Sequence, residues 1–169
     1  MEEFLPILNE KFEITGSAPR SRFHYNPEVK LLHPVIHLHV LNSKNEIYLQ
    51  LRPAHKLIQP GRWDTAVGGH VSYGETIEEA LSRETQEEIG ISSSGAVPLH
   101  SYIWETEAEK EYVHIFILQT DETPIVNKNE VEAGKFLDLS AISSKEIEEL
   151  FTPNLIYEID ILREMGILK

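Results

Sequence analysis

Cysteine is absent from the 169 residues, which excludes disulfides, thiolate metal sites and a cysteine nucleophile. Basic charge is scarce. Lysine plus arginine total 15 against 28 aspartate plus glutamate, for a net charge of −13. With no basic cluster along the chain, a nucleic-acid polymer would meet net repulsion and is not an expected partner. No apolar run approaches the roughly 18 residues that cross a bilayer, so no membrane partner is expected either. The acidic start MEEFLPILNEK lacks the basic opening of a secretion signal, and a cytoplasmic protein is the expectation. Internal repeats, low-complexity tracts and domain-separating linkers are also missing. A small anionic ligand stays compatible with this surface, because bound divalent cations reverse the local field.

What is present is a globular pattern. Hydrophobic residues make up 41% of the chain, and strand-like and helix-like segments alternate, which predicts one α/β domain over residues 1–169. Residues 1–30 hold the short apolar pieces FLPIL and KFEI and predict an arm or hairpin. PVIHLHVL (Pro34 to Leu41) and EIYLQLR (Glu46 to Arg52) flank the turn NSKN and predict a β-hairpin. Pro53, Pro60 and Gly61 break the next stretch into a loop, and TAVGGHV returns as a short strand. AVPLHSYIWE and EYVHIFILQT read as two long strands, and EAGKFLDL (Glu132 to Leu139) as a shorter one. Residues 140–169 read as helices, with a capping box at Ser143 and Glu146. Thr152 then stands as an N-cap before Pro153, and Leu155, Ile156, Ile159 and Leu162 recur at helical spacing in a run to Leu168.

The stretch GGHVSYGETIEEALSRETQEEIGI, residues 68–91, reads as a helix from Thr76 to Ile89. Thr76 with Glu79 makes a capping box, and Gly90 fits a left-handed C-terminal cap. At about 100° per residue, Ile77, Ala80, Leu81 and Thr85 form the stripe that should face the core. Glu84, Glu87 and Glu88 fall on that stripe and not opposite it. Carboxylates at these spacings repel one another, and partly desolvated ones require cations or protons. Arg83 reaches Glu87 and approaches Glu75, yet one arginine does not neutralise three acids. Hard oxygen ligands at this density suit Mg²⁺, with Mn²⁺ as the alternative. A solvated helix end is the plainer reading of the same glutamates. The paired glycines before the helix admit a ligand close to the backbone. Together these features describe metal ions on carboxylates and a diphosphate on the metals.

The same stretch resembles the Nudix box, G-x5-E-x7-R-E-U-x-E-E-x-G-U with U aliphatic. Gly69 is the first glycine and Glu75 the first acid. Arg83 and Glu84, then Glu87 and Glu88, fill the charged pairs, and Gly90 with Ile91 closes the box. Thr85 departs, standing where an aliphatic residue is usual. Segments on both sides, such as LLHPVIHLHVLNSKNEIYLQLRPAHK and PGRWDTAVGGHV, are similar to the Nudix branch that is like isopentenyl-diphosphate isomerase. The resemblance implies an α/β/α sandwich around a mixed β-sheet. It also implies Mg²⁺-dependent hydrolysis of a nucleoside diphosphate linked to another group, or of a related diphosphate.

Carried over by position, Glu84, Glu87 and Glu88 match the family's metal-binding glutamates, with the carbonyl of Gly68 as a further ligand. Gly69, Glu75, Arg83 and Gly90 match the residues that support the box. A catalytic glutamate from a loop before the last strand would be Glu130, with Glu132 as the alternative. Water would attack phosphorus, and Glu84 or Glu130 would accept its proton. The isomerase needs a cysteine near WDTAVGGHV, where Val67 and Gly68 stand, so that activity is not expected. A non-catalytic nucleotide-binding module is the remaining rival, although such forms lose box acids and this chain keeps them.

Other candidates lie around the box. Arg52 and Lys56 follow a strand end and are candidate phosphate ligands. Trp63 is either a core residue beside a turn aspartate or a wall of the substrate pocket. His70 lies inside the box and is a candidate for lining the site. His37 and His39 share one strand face and resemble a metal pair without a third ligand nearby in sequence, so a polar sheet face or pocket wall is the better reading. A homodimer through the N-terminal arm or a sheet edge is one assembly the sequence leaves open.

Overall fold

The structure, a computed structural model, describes residues 2–24 and 29–169. Its central strand is β3 (Leu32–Leu41), buried along its whole length. The predicted pair of long strands is present as β7 (Val97–Glu105) and β8 (Lys110–Gln119). β8 runs parallel to β3, from Leu32 opposite Lys110 to Leu41 opposite Gln119. β7 closes that edge of the sheet antiparallel to β8. The sheet is therefore mixed, as expected.

On its other side β3 changes partners. β4 (Ile47–Leu51) meets it only at the hairpin end, through Val40 with Tyr48 and Leu41 with Ile47. From Leu38 down to Val35 the partner is β6 (Val67–His70). β4 meanwhile pairs with β5 (Trp63–Asp64) and with β9 (Ala133–Leu137). The predicted hairpin is thus real at its tip and then forks. β6 follows one prong and β5 the other.

Side-chain alternation gives β3 and β4 two buried faces. Ile36, Leu38 and Val40 face one way and pack with Ala80, Leu81 and Ile89 of α1 (Ile77–Ile89). Leu41, Ile47 and Leu49 face the other way. They pack with Ile147 of α2 (Ser144–Leu150) and with Leu155, Ile159 and Leu162 of α3 (Pro153–Glu164). This is the α/β/α arrangement.

The helices start where the caps place them. Thr76 accepts from the Glu79 amide while the Glu79 carboxylate accepts from the Thr76 amide, and Gly90 closes α1 at φ 64°. Ser143 and Glu146 repeat the device on α2. Thr152 caps α3 with proline in its first turn. α3 ends at Glu164 and not at Leu168, because the chain turns at Gly166 with φ 72°. Leu168 still reaches the core from that turn. Thr85 is fully buried, and its hydroxyl donates to the Leu81 carbonyl at 2.6 Å. A polar group at this packing position is therefore satisfied within its own helix.

The predicted N-terminal hairpin forms a separate two-stranded sheet from β1 (Phe4–Leu8) and β2 (Ile14–Pro19). It is tied to the loop before α1, where the Tyr73 amide donates to Phe4 O at 2.8 Å and the Ser72 hydroxyl to Glu3 Oε1 at 2.9 Å. Among the described residues no helix is long and apolar enough to cross a membrane.

Candidate active site

The fork opens a cavity of about 690 Å³ whose lining includes His37, Gln50, Asp64, Gly68, Glu84 and Glu88. Each prong and each neighbouring strand contributes one of these residues, so the site exists because β3 and β4 separate. Side chains from both faces of the sheet reach the same space there.

Two of the three box glutamates enter it. Glu84 lies so close to Gly69 that a β-carbon at that glycine would collide with the carboxylate. Glu88 Oε2 accepts from the Gly68 amide at 3.2 Å and from Gln50 Nε2 at 2.9 Å. Burial first, and then the charge of Glu84, push the Glu88 carboxyl up to about 8. Burial also raises Glu84, against the pull of Arg83. Glu87 differs from its predicted inward placement. Its side chain is 55% exposed, against 14% for Glu84. It sits at the margin of the helical stripe and turns outward, with Arg83 Nη1 at 3.4 Å.

Arg83 braces the loop onto the helix. Nε and Nη2 each donate to Glu75 at 2.8 Å, Nη2 donates to the His70 carbonyl at 3.0 Å, and Nη1 donates to Glu84 at 2.7 Å. These bonds hold the Glu75 carboxyl below its ordinary range and the guanidinium above its own. Such a bidentate pair fixes geometry as well as charge.

The loop after β4 carries the cations. Arg52 donates to Asp64 at 3.1 Å and, through Nε and Nη2, to the Ile58 carbonyl at 3.1 and 2.9 Å. Lys56 lies 3.6 Å from Glu130, whose side chain is 49% exposed, and both line the cavity. Glu132 is exposed and not part of the lining. Trp63 is not part of it either. Its indole packs with the α2 and α3 core beneath Lys135 Nζ, 4.8 Å from the ring centroid. Neighbouring strand residues point to opposite faces, so Asp64 takes the cavity side and Trp63 the core side.

His70 lines the cavity in a second group that the sequence did not disclose. Ligand atoms of His33, His70 and Glu111 lie within 4.8 Å of one another, and His24 Nδ1 lies 3.0 Å from Glu109 Oε2. His33 is wholly buried, and among the described residues its Nε2 makes no hydrogen bond, with Glu111 Oε1 3.9 Å away. Burial pushes His33 down to about 4 and His70 well below its ordinary value. Neutral imidazoles beside carboxylates are a donor set for a divalent transition metal. These residues come from separate segments, and no short spacing announces them.

His37 and His39 do find a third partner, on α3. His37 Nδ1 and His39 Nε2 each lie 2.6 Å from Glu158, and the Tyr102 hydroxyl donates to it at 2.5 Å. Burial opposes the charge on Glu158, yet the two histidines hold it well below its ordinary range. Burial likewise opposes the charge on His37, and Glu158 carries it up to about 9.

A family model described as NUDIX domain matches residues 31–156. A protein of Photorhabdus laumondii named isopentenyl-diphosphate Delta-isomerase 1 is 33% identical over 160 residues, covering 89% of each chain. A Nudix hydrolase of Deinococcus radiodurans is 30% identical over 139 residues, covering 80% of this chain and 79% of its own. The crystal structure of DR0079 from Deinococcus radiodurans matches with a TM-score of 0.76 at 26% identity, over 93% of this chain and 96% of that one. The likeness thus extends well beyond the box.

Proposed function

The chain belongs to the Nudix family and is a hydrolase of that family, and on this premise we propose that it cleaves a diphosphate bond with Mg²⁺, or Mn²⁺, as cofactor. The substrate class is a nucleoside diphosphate linked to another group, or a related diphosphate. One observation carries the reading. Glu84 and Glu88 are brought together largely out of water, where Gly69 leaves room for Glu84 and the Gly68 amide donates to Glu88, and the few donors around them leave the pair short of positive charge. Such a pair fits a hard divalent cation.

Glu84, Glu88 and the Gly68 carbonyl would hold the metal, with Glu87 at the outer edge. When bound, the cation polarises phosphoryl oxygens and lowers the pKa of water. Arg52 and Lys56 orient the diphosphate from the opposite loop. Glu84 is better placed than Glu130 to accept the proton of the attacking water, because Glu130 is half exposed and paired with Lys56. The Arg83–Glu75 brace keeps the glycine loop in register with α1. The orphaned Nε2 of His33 supports a second cation position at His33, His70 and Glu111. The isomerase reading would need a cysteine, which the chain lacks.

A panel of ADP-ribose, dinucleoside polyphosphates, nucleoside di- and triphosphates and isopentenyl diphosphate, assayed with Mg²⁺, tests the proposal. The expected result is two phosphorylated products from at least one nucleotide, abolished by EDTA. Tight binding of a nucleotide without turnover at saturating Mg²⁺ and Mn²⁺ would instead make this a binding module.

A further inference from the structure

The His37–Glu158 pair does more than join α3 to the sheet. Among the described residues, Nε2 of His37 makes no hydrogen bond, while Nδ1 is fixed by Glu158 at 2.6 Å. His37 lines the cavity, whereas His39, held by the same carboxylate, is sealed from it. Gly68 leaves the ring edge uncovered, since a β-carbon there would lie 3.6 Å from His37 Nε2. The amide of that same Gly68 donates to Glu88, so His37 and the metal-class carboxylate flank one residue. Elsewhere in the lining Arg52 donates to Asp64 and Ile58, Lys56 lies beside Glu130 and Arg20 beside Glu3. Glu158 is a fully buried carboxylate and needs a positive neighbour. Of its three donors, only the imidazoles can supply one.

We propose that His37 is a substrate-contacting residue, its Nε2–H donating to a phosphoryl oxygen of the diphosphate while Glu158 holds the ring. This rests on the hydrolase reading above. The helix α3 then belongs to the site, and its Pro153 and Asn154 line the same cavity.

Two substitutions separate contact from support. His37→Asn keeps a donor near the Nδ1 position, for Glu158, and loses the one facing the cavity. His37→Gln does the reverse. Binding of methylenediphosphonate with Mg²⁺ by calorimetry, KM on the panel's best substrate and melting temperature are measured for both. The expected result for His37→Asn is the smaller loss of melting temperature of the two, with affinity about tenfold weaker or more, the loss of one charge-assisted hydrogen bond. For His37→Gln it is a lowered melting temperature with affinity within a few fold of wild type. Wild-type affinity in His37→Asn overturns the proposal, as do parallel losses that track stability in both. A wild-type protein that neither binds the probe nor cleaves any substrate overturns the hydrolase reading and this one together.

Discussion

Glu88 on α1 and Glu158 on α3 are both largely withdrawn from water, one against each face of the sheet, and their surroundings drive them in opposite directions. Glu158 receives hydrogen bonds from two histidines and a tyrosine and is held well below the ordinary carboxylate range. Glu88 receives one amide from Gly68 and one from Gln50, has Glu84 beside it, and is pushed up to about 8. The protein has completed the first carboxylate by itself. On the reading proposed above, a bound cation completes the second. Burial alone does not separate these two acids, whereas the supply of donors does.

The comparison breaks most visibly at Glu158. Glu158→Ala strands two imidazoles inside the α3 interface, and urea unfolding should show a loss of about 3–5 kcal/mol, as for other severed buried pairs. A loss below about 1 kcal/mol would mean that water replaces the carboxylate. The pair also carries a pH signature. A histidine raised from 6.5 to about 9 by Glu158, with Asp64 and Glu111 also facing it, stabilises the fold fully below about pH 6.5. That contribution is lost as pH rises through about 9. Glu158 itself, depressed in the fold, loses its share progressively as pH falls below the ordinary carboxylate value. Stability of the wild type should therefore fall from about pH 6.5 to 9, and Glu158→Gln should flatten the slope.

Glu88 gives the opposite outcome. Glu88→Gln replaces a carboxyl whose charged form burial disfavours, so melting temperature should hold or rise. Turnover at saturating Mg²⁺ should fall by more than about 100-fold, beyond the upper end for groups that only support a metal ligand. Glu87→Gln, on the exposed edge, should lose no more than about tenfold. Equal losses in the two variants would return Glu87 to the inner group.

The contrast also shows what the sequence could disclose. Local features were legible. The caps at Thr76, Ser143 and Thr152, the box spacing and the Arg83–Glu75 brace all involve residues close in the chain, where spacing maps onto geometry. The fork between β3 and β4 was not legible, because both prongs keep buried residues on two faces and no pattern marks where partners change. Gln50 reaches Glu88 only across that fork, and Glu158 meets His37 across 121 positions. Trp63 was open between core and pocket because a two-residue strand gives no alternation from which to read its phase. The outward turn of Glu87 depended on the edge of a helical arc, where a small rotation decides exposure.

Thr85 tests the comparison at its mildest. It is buried on α1 one turn from Glu88 and breaks the aliphatic pattern of the box. Unlike Glu88 it has what it needs, since its hydroxyl donates to the Leu81 carbonyl at 2.6 Å. That carbonyl sits inside the helix and keeps its backbone partner when the hydroxyl is removed. Thr85→Val therefore leaves no orphaned group and adds an apolar methyl to the α1 face that it shares with Ala80 and Leu81 and that packs on β3. The change in stability should be less than about 1 kcal/mol in either direction, with turnover unchanged. A loss above about 2 kcal/mol would place the residue with the buried polar groups that hold the fold together. Loss of turnover at unchanged stability would show that the hydroxyl sets the angle at which α1 presents Glu84 and Glu88 to the cavity.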